Sequence, residues 1–289
     1  MKKKIGAFDF MNVAVMIGLM AATVYPFWYM ISVSLSGELA IMQGKVSFWP
    51  VNLTTGWYET VFHDPRIGTG YRNTVIYTVL GTIISLIVTS SGAFALSQRK
   101  LVHRRAFMMA IVFTILFSGG MIPSFLVVKE LGLLNTVWAM VLPGSVSAFN
   151  LLVFRTFFEE LPEELFDAGR IDGLQDIGLF FRIVVPLSKP VYAAIGLFAA
   201  VGLWNNFYSG ILYLRNPELF PLTMILRDLI IAGQLDSEMA AQSSAGGDLV
   251  TTDALKFATI IVSTLPILML YPFLQKYFVK GVMLGSVKG

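Results

Sequence analysis

Long apolar runs separated by short polar segments dominate this chain, and the length of each run is what carries information. Residues 10–34, 73–96, 106–128, 136–157, 191–213 and 255–274 are each close to the roughly 20 apolar residues a helix needs to cross a bilayer. They predict an all-α membrane protein with six transmembrane helices. The first run exceeds the core of a secretory signal and is followed by further runs, so it reads as an uncleaved helix, bent at Pro26. In the third run Gly119, Gly120 and Pro123 should bend or locally unwind the helix, and Pro143 with Gly144 interrupts the fourth. Such a bend serves either a gate on a substrate path or simple helix packing, and the pattern leaves both open.

The polar segments differ in kind. Residues 35–71 mix polar groups with Trp49, Pro50, Trp57 and Tyr58, aromatics suited to a membrane interface. The outer loop 214–254 holds an apolar stretch, 219–231, that is too short and too charged to cross because Arg227 and Asp228 lie in it. It predicts an interfacial or docked helix on the outer face, with a flexible tip at Ser243 to Gly247. Residues 158–190 are a charged block between two apolar runs. Pro162 with Glu163 and Glu164 marks a helix start. Gly169 and Gly173 should weaken or bend that helix. A second begins near Leu174, with Leu174, Ile177, Phe181 and Val184 on one side and Pro186 as its stop. The pattern is a helix-bend-helix finger with one apolar side.

Composition narrows the choice. Apolar residues make up 56% and charged ones 13%, against roughly 25% charged in soluble domains, which excludes a water-soluble globule. Most of the 21 basic residues fall on one side of a six-span chain: Lys2 to Lys4, Arg99, Lys100, Arg104, Arg105, Arg155, Arg170, Arg182, Lys189, Lys276, Lys280 and Lys288. The positive-inside rule then places both termini and the finger in the cytoplasm. A net charge of +3 gives no ground for a nucleic-acid partner, and no cysteine is present for disulfide or thiol chemistry. His63 and His103 sit in separate polar segments, so no metal site is assigned. Neither a phosphate-binding G-x-x-x-x-G-K-[ST] loop nor a G-x-S-x-G motif occurs. The chain is expected neither to bind ATP nor to carry a catalytic residue. A membrane enzyme would need paired carboxylates near the interface; the one dense set, Glu159, Glu160, Glu163 and Glu164, is better explained by the start of the finger.

Polar residues within apolar runs point to pathways. Trp204, Asn205, Asn206, Phe207 and Tyr208 lie in the outer half of the fifth run, where amides suit sugar hydroxyls and aromatic rings suit sugar faces. An interfacial aromatic belt with helix-packing amides explains them as well. Asn73, Asn135 and Asn150 are weaker candidates of the same kind.

The spacing Asp167-Ala168-Gly169, three residues, Gly173, nine residues, Ile183, one residue, Val185-Pro186 matches that of the EAA motif, E-A-A-x3-G-x9-I-x-L-P. Asp167 stands for Glu, Gly169 for the second Ala and Val185 for Leu. The chain therefore resembles the permease subunits of binding-protein-dependent ATP-binding-cassette importers. Its last residues, Gly281 to Gly289 (GVMLGSVKG), resemble the tail of the maltose-type sugar permeases. The resemblance implies a type I importer permease fold, a single transmembrane domain over 1–289, in the bacterial cytoplasmic membrane. It makes the finger a coupling helix seated in an ATPase groove. Glu163, Glu164, Asp167, Ala168, Gly169, Asp172, Gly173, Ile183 and Pro186 would form that contact. It also implies partners: a second permease, usually different in sequence, an ATPase dimer using ATP and Mg, and an extracytoplasmic solute-binding protein. The cargo would be an oligosaccharide moved by alternating access, with an amino acid or phosphate as the alternative.

Overall fold

A backbone buried in apolar surroundings must satisfy its own polar groups, and helices do so locally. The computed structural model describes residues 6–229, 231 and 253–269, and these fold as helices and turns without a strand. Among the described residues two helices are each long and apolar enough to cross a membrane, α1 (Ala7–Ser34) and α4 (Pro65–Ser97). Pro26 lies inside α1 without interrupting it.

The third, fourth and fifth apolar runs are each built from more than one helix. α5 (Arg104–Leu116) and α6 (Met121–Glu130) meet at 116°, with Gly120 at φ 81° in the joint. The glycine-glycine-proline set thus turns the chain sharply rather than kinking one span. α7 (Val137–Val141) and α8 (Ala148–Glu159) flank Pro143 and Gly144, and Ser147 starts α8 by accepting the Asn150 N–H at 3.3 Å. α12 (Lys189–Trp204) and α13 (Tyr208–Tyr213) flank a break at 205–207. The apolar stretch 219–231, expected to form an interfacial or docked helix, follows a 3-10 turn, Pro217–Leu219, and is helical over 222–229. Helix 253–269 covers most of the sixth run. Residues 270–274, the tip at 243–247 and the tail 281–289 lie outside the described residues.

The chain packs as two units, Met1–Gly68 with Ile225–Leu265 and Thr69–Met224 with Pro266–Gly289. In the first, α1 beyond Asp9 and Asn12 is apolar on all sides and exposed as far as Phe27, which calls for lipid rather than water around it. Its last turn and the residues just after it carry a ladder of buried serines. Ser32 donates to Phe48 O, Ser36 accepts the Val51 N–H, and Ser34 bonds the Tyr58 hydroxyl. Trp57 Nε1 donates to Ser36 O. Two of the aromatics read as interfacial, Trp57 and Tyr58, thus also hold the loop after α1, along with α2 (Glu38–Met42) and α3 (Gly56–His63).

In the second unit the first turns of α4 clamp a distant loop. Asn73 Nδ2 donates to Glu218 O (2.7 Å) and Phe220 O (3.1 Å), the Tyr77 hydroxyl donates to Leu219 O, and Thr74 Oγ1 accepts the Leu222 N–H. Asn135, at φ 59°, accepts the N–H groups of Arg215 and Asn216 through Oδ1. At the other end of the same helix lies the main core. Ala93, Phe94 and Leu96 of α4 pack with Leu151, Phe154 and Phe158 of α8, with Val191 and Ile195 of α12, and with residues of the segment 158–190.

Candidate functional site

The segment 158–190 folds into two short arms. α9 (Glu163–Ile171) starts after Pro162, which has no N–H to leave unsatisfied, and places Glu163 and Glu164 in its first turn. The helix ends in a Schellman turn, with the Leu174 N–H on Gly169 O at 2.9 Å and the Gly173 N–H on Arg170 O at 3.0 Å. That turn needs a left-handed residue, and Gly173 supplies it at φ 80°. The return arm comprises α10 (Asp176–Leu179), a π-helical turn (Phe180–Val184) and α11 (Val185–Leu187). A Cβ on Gly169 would stand 2.6 Å from Leu179 Cδ2 and 2.8 Å from Ile183 Cδ1, so the glycine is what lets the arms close.

The π turn has a local cause. Pro186 has no N–H for the Arg182 carbonyl and its ring would crowd that group in a regular helix. Widening the preceding turn, with the Val185 N–H bonded five residues back to Phe180 O, relieves this. The helix therefore runs through Pro186 to Leu187 instead of stopping at it. It meets α12 at 83°, and Ser188, fully buried with its hydroxyl unpartnered among the described residues, fills the corner.

The apolar residues of the finger divide into two sets. Phe166, Leu179, Phe180 and Val184 enter the core shared with α4, α8 and α12, and the ring of Phe94 lies 6.5 Å from Phe166 and 5.3 Å from Phe180. Ile171, Ile177 and Phe181 remain 86%, 74% and 60% exposed. The four residues that the spacing sets on one side do not share one environment: Val184 is buried, Leu174 is half-buried against the core, and Ile177 and Phe181 are exposed. One ion pair ties the base of the finger to the turn just after α4 and another lies within α9. Glu163 pairs with Arg99 at 3.1 Å and Asp167 with Arg170 at 3.2 Å, while Glu164, Asp172 and Asp176 make no ion pair among the described residues. Next to the finger Glu159 pairs with both Arg104 and Arg155, and Arg104 Nε donates to Leu96 O at the end of α4.

A second feature lies within the helices. A recess of about 240 Å³ opens where α4, α8, α12 and the breaks at 142–147 and 205–207 meet, lined in part by Ser85, Gly144, Ser145, Asn150, Gly202 and Asn206.

Residues 68–284 match the family described as binding-protein-dependent transport system inner membrane component. The chain belongs to this family. It is similar to Protein LplC of Bacillus subtilis (strain 168), 40% identical over 98% of this chain and 95% of that one. It is also 41% identical to the polygalacturonan/rhamnogalacturonan transport system permease protein YtcP of the same organism, over 92% of this chain and 93% of the relative. A solved structure of a bacterial ABC transporter involved in the import of the acidic polysaccharide alginate superposes with a TM-score of 0.88 at 33% identity, covering 96% of this chain and 99% of that one. The type I importer permease fold follows from this likeness.

In this permease the residues singled out in the finger come together but differ in situation. Gly169 is buried between the arms, Ile183 is half-buried against it, and Glu163, Glu164, Asp167, Ala168, Asp172, Gly173 and Pro186 are exposed. The pathway candidates divide. Trp204 is buried with its ring 6.3 Å from Tyr71, Asn205 donates to Val201 O within its own helix, and Tyr208 is exposed. Among Trp204, Asn205, Asn206 and Tyr208, Asn206 alone lines the recess. Asn73 and Asn135 are loop clamps, whereas Asn150 reaches the recess with a side-chain amide unpartnered among the described residues. Phe94 was not legible as a site residue, since an apolar residue near the end of an apolar run gives no sign of its partners.

Proposed function

We propose that the chain is one permease subunit of an ATP-driven, binding-protein-dependent importer for oligosaccharides, with the 158–190 finger as its coupling element. The observation that carries this reading is the division of the finger's apolar residues. Four anchor it in a core shared with three helices, and Ile171, Ile177 and Phe181 stand exposed on a charged projection. Such a patch calls for a protein partner. With no phosphate-binding loop of its own, the chain takes its energy from that partner, an ATPase dimer using ATP and Mg. Relatives named for polysaccharide transport support a sugar cargo over an amino acid or phosphate.

In this reading six segments cross the bacterial cytoplasmic membrane, with both termini and the finger on the cytoplasmic side where the basic residues concentrate. Closure of the ATPase dimer moves the finger. Because close-packed cores transmit displacement rather than absorb it, α4, α8 and α12 tilt with it. A second, non-identical permease completes the cavity, and a solute-binding protein delivers sugar to its outer side. At the docking rim Glu164 and Asp172 meet basic groups of the ATPase or water, while Arg99 and Arg170 steady Glu163 and Asp167.

The test is a charge placed in the exposed patch. Ile177→Glu and Phe181→Glu should insert normally into membranes but lose the ATPase subunit on purification, or hydrolyse ATP without sugar uptake. Stoichiometric ATPase and full uptake in both variants would overturn the coupling assignment.

A further inference from the structure

The recess between α4, α8 and α12 is built unlike its surroundings. None of its described lining residues is charged, and its polar groups keep hydrogen-bonding capacity in hand among the described residues. The Asn150 side-chain amide and the Ser85 hydroxyl have no partner among the described residues, although Ser85 is 4% exposed. Ser145 gives its proton to Leu142 O, which leaves its lone pairs free. Asn206 donates one amide hydrogen to Ser209 Oγ and accepts the Ser209 N–H, keeping its second amide hydrogen. Polar groups inside a membrane protein face each other, water or a ligand, because lipid satisfies none of them.

Donors and acceptors thus converge, without charge, on a space small by the standard of drug-sized sites at about 300–1,000 Å³. We infer that this recess is a sugar subsite contributed by this chain, holding the hydroxyl face of one ring of the passing oligosaccharide. The inference rests on reading the chain as an oligosaccharide permease. Asn150 is its central residue, able to donate two hydrogens and accept two to neighbouring ring hydroxyls. Ser85, Ser145 and Asn206 line the same space, and any carboxylate on an acidic sugar would turn away from this wall. The earlier candidates Trp204 and Asn205 have no part in it.

Gly202 provides a clean way to close the recess. A Cβ there meets nothing within 4 Å, and the residue lies in the last turn of α12, where leucine suits a helix better than glycine. Gly202→Leu therefore fills the space from a fold-compatible position. Wild type, Gly202→Leu and Asn150→Ala are reconstituted with the second permease, the ATPase and the solute-binding protein. Uptake of labelled oligosaccharide and retention of labelled sugar by the ATP-trapped complex are measured, with binding-protein-stimulated ATP hydrolysis as the control. Gly202→Leu should lower uptake about ten-fold or more, the scale of forcing atoms into an occupied space. Asn150→Ala should lower retention about three- to ten-fold, as loss of neutral hydrogen bonds does. Both should keep stimulated hydrolysis. Wild-type retention in Asn150→Ala overturns the subsite, as does normal uptake in Gly202→Leu; if Gly202→Leu fails to assemble, Asn150→Ala alone decides. A wild-type complex whose ATPase responds but which moves no oligosaccharide would instead sink the permease reading.

Discussion

Gly173 separates two explanations of the coupling finger that a motif alone merges. One holds that a small residue lets the ATPase backbone approach closely; the other holds that the turn itself needs glycine. The structure favours the second, since Gly173 sits at φ 80° in the Schellman turn and a Cβ there would meet nothing within 4 Å among the described residues. Forcing an L-residue into the left-handed region costs roughly 1–2 kcal/mol, with Asn least affected and β-branched residues most. A loss of that size changes the ratio of ordered to frayed turn by about 5- to 30-fold. Gly173→Asn, Gly173→Ala and Gly173→Val are to be compared in the reconstituted importer by sugar moved per ATP hydrolysed. The expected order is wild type, Asn, Ala, Val, although Asn is larger than Ala. A close-approach role predicts Ala ahead of Asn. Wild-type coupling in Gly173→Ala, or Asn worse than Ala, would refute the backbone argument.

Two further outcomes follow from the same structure. Phe94→Ala empties the centre of the core that joins the finger to α4 and should cost about 3–5 kcal/mol. Hydrogen exchange should then rise through 163–187 and coupling should fall, while protection of α13 should stay as in wild type. In the other unit the hydrogen bonds of Arg66 hold the Asp64 carboxyl below its usual range, the partial burial of Asp64 opposing them. Its contribution is therefore complete above the unfolded value of about 3.9 and is lost as pH falls through the lower folded value. For so exposed a pair it is about 1 kcal/mol at most. Asp64→Asn should remove that acid-side loss of protection around 64–67, and an unchanged acid profile would show that the pair contributes nothing.

The sequence makes the helical elements legible because apolar run length and glycine-proline punctuation are local properties. It makes the finger legible because helix starts and turn glycines are local too. What it hides is tertiary. Asn73, Asn135 and Asn150 are the same residue in similar surroundings, and a reading of the chain has to treat them alike. Two become clamps because carbonyl and amide groups 80 or more residues away arrive within 3.1 Å, and the third keeps its amide free because no partner arrives from among the described residues. Pro186 shows the same limit in reverse: the local rule ends a helix there, yet a widened turn carries the helix past it into a packed corner. Gly169 and Gly173 sharpen the point. Both belong to one motif, but the first makes room for Leu179 and Ile183 while the second supplies a left-handed turn that fills no space. A substitution at the first is therefore judged by the volume of its neighbours, and one at the second by its own backbone preference. One spacing pattern thus encodes two independent constraints, and a motif departure such as Gly169 for Ala acts only on the packing of the two arms.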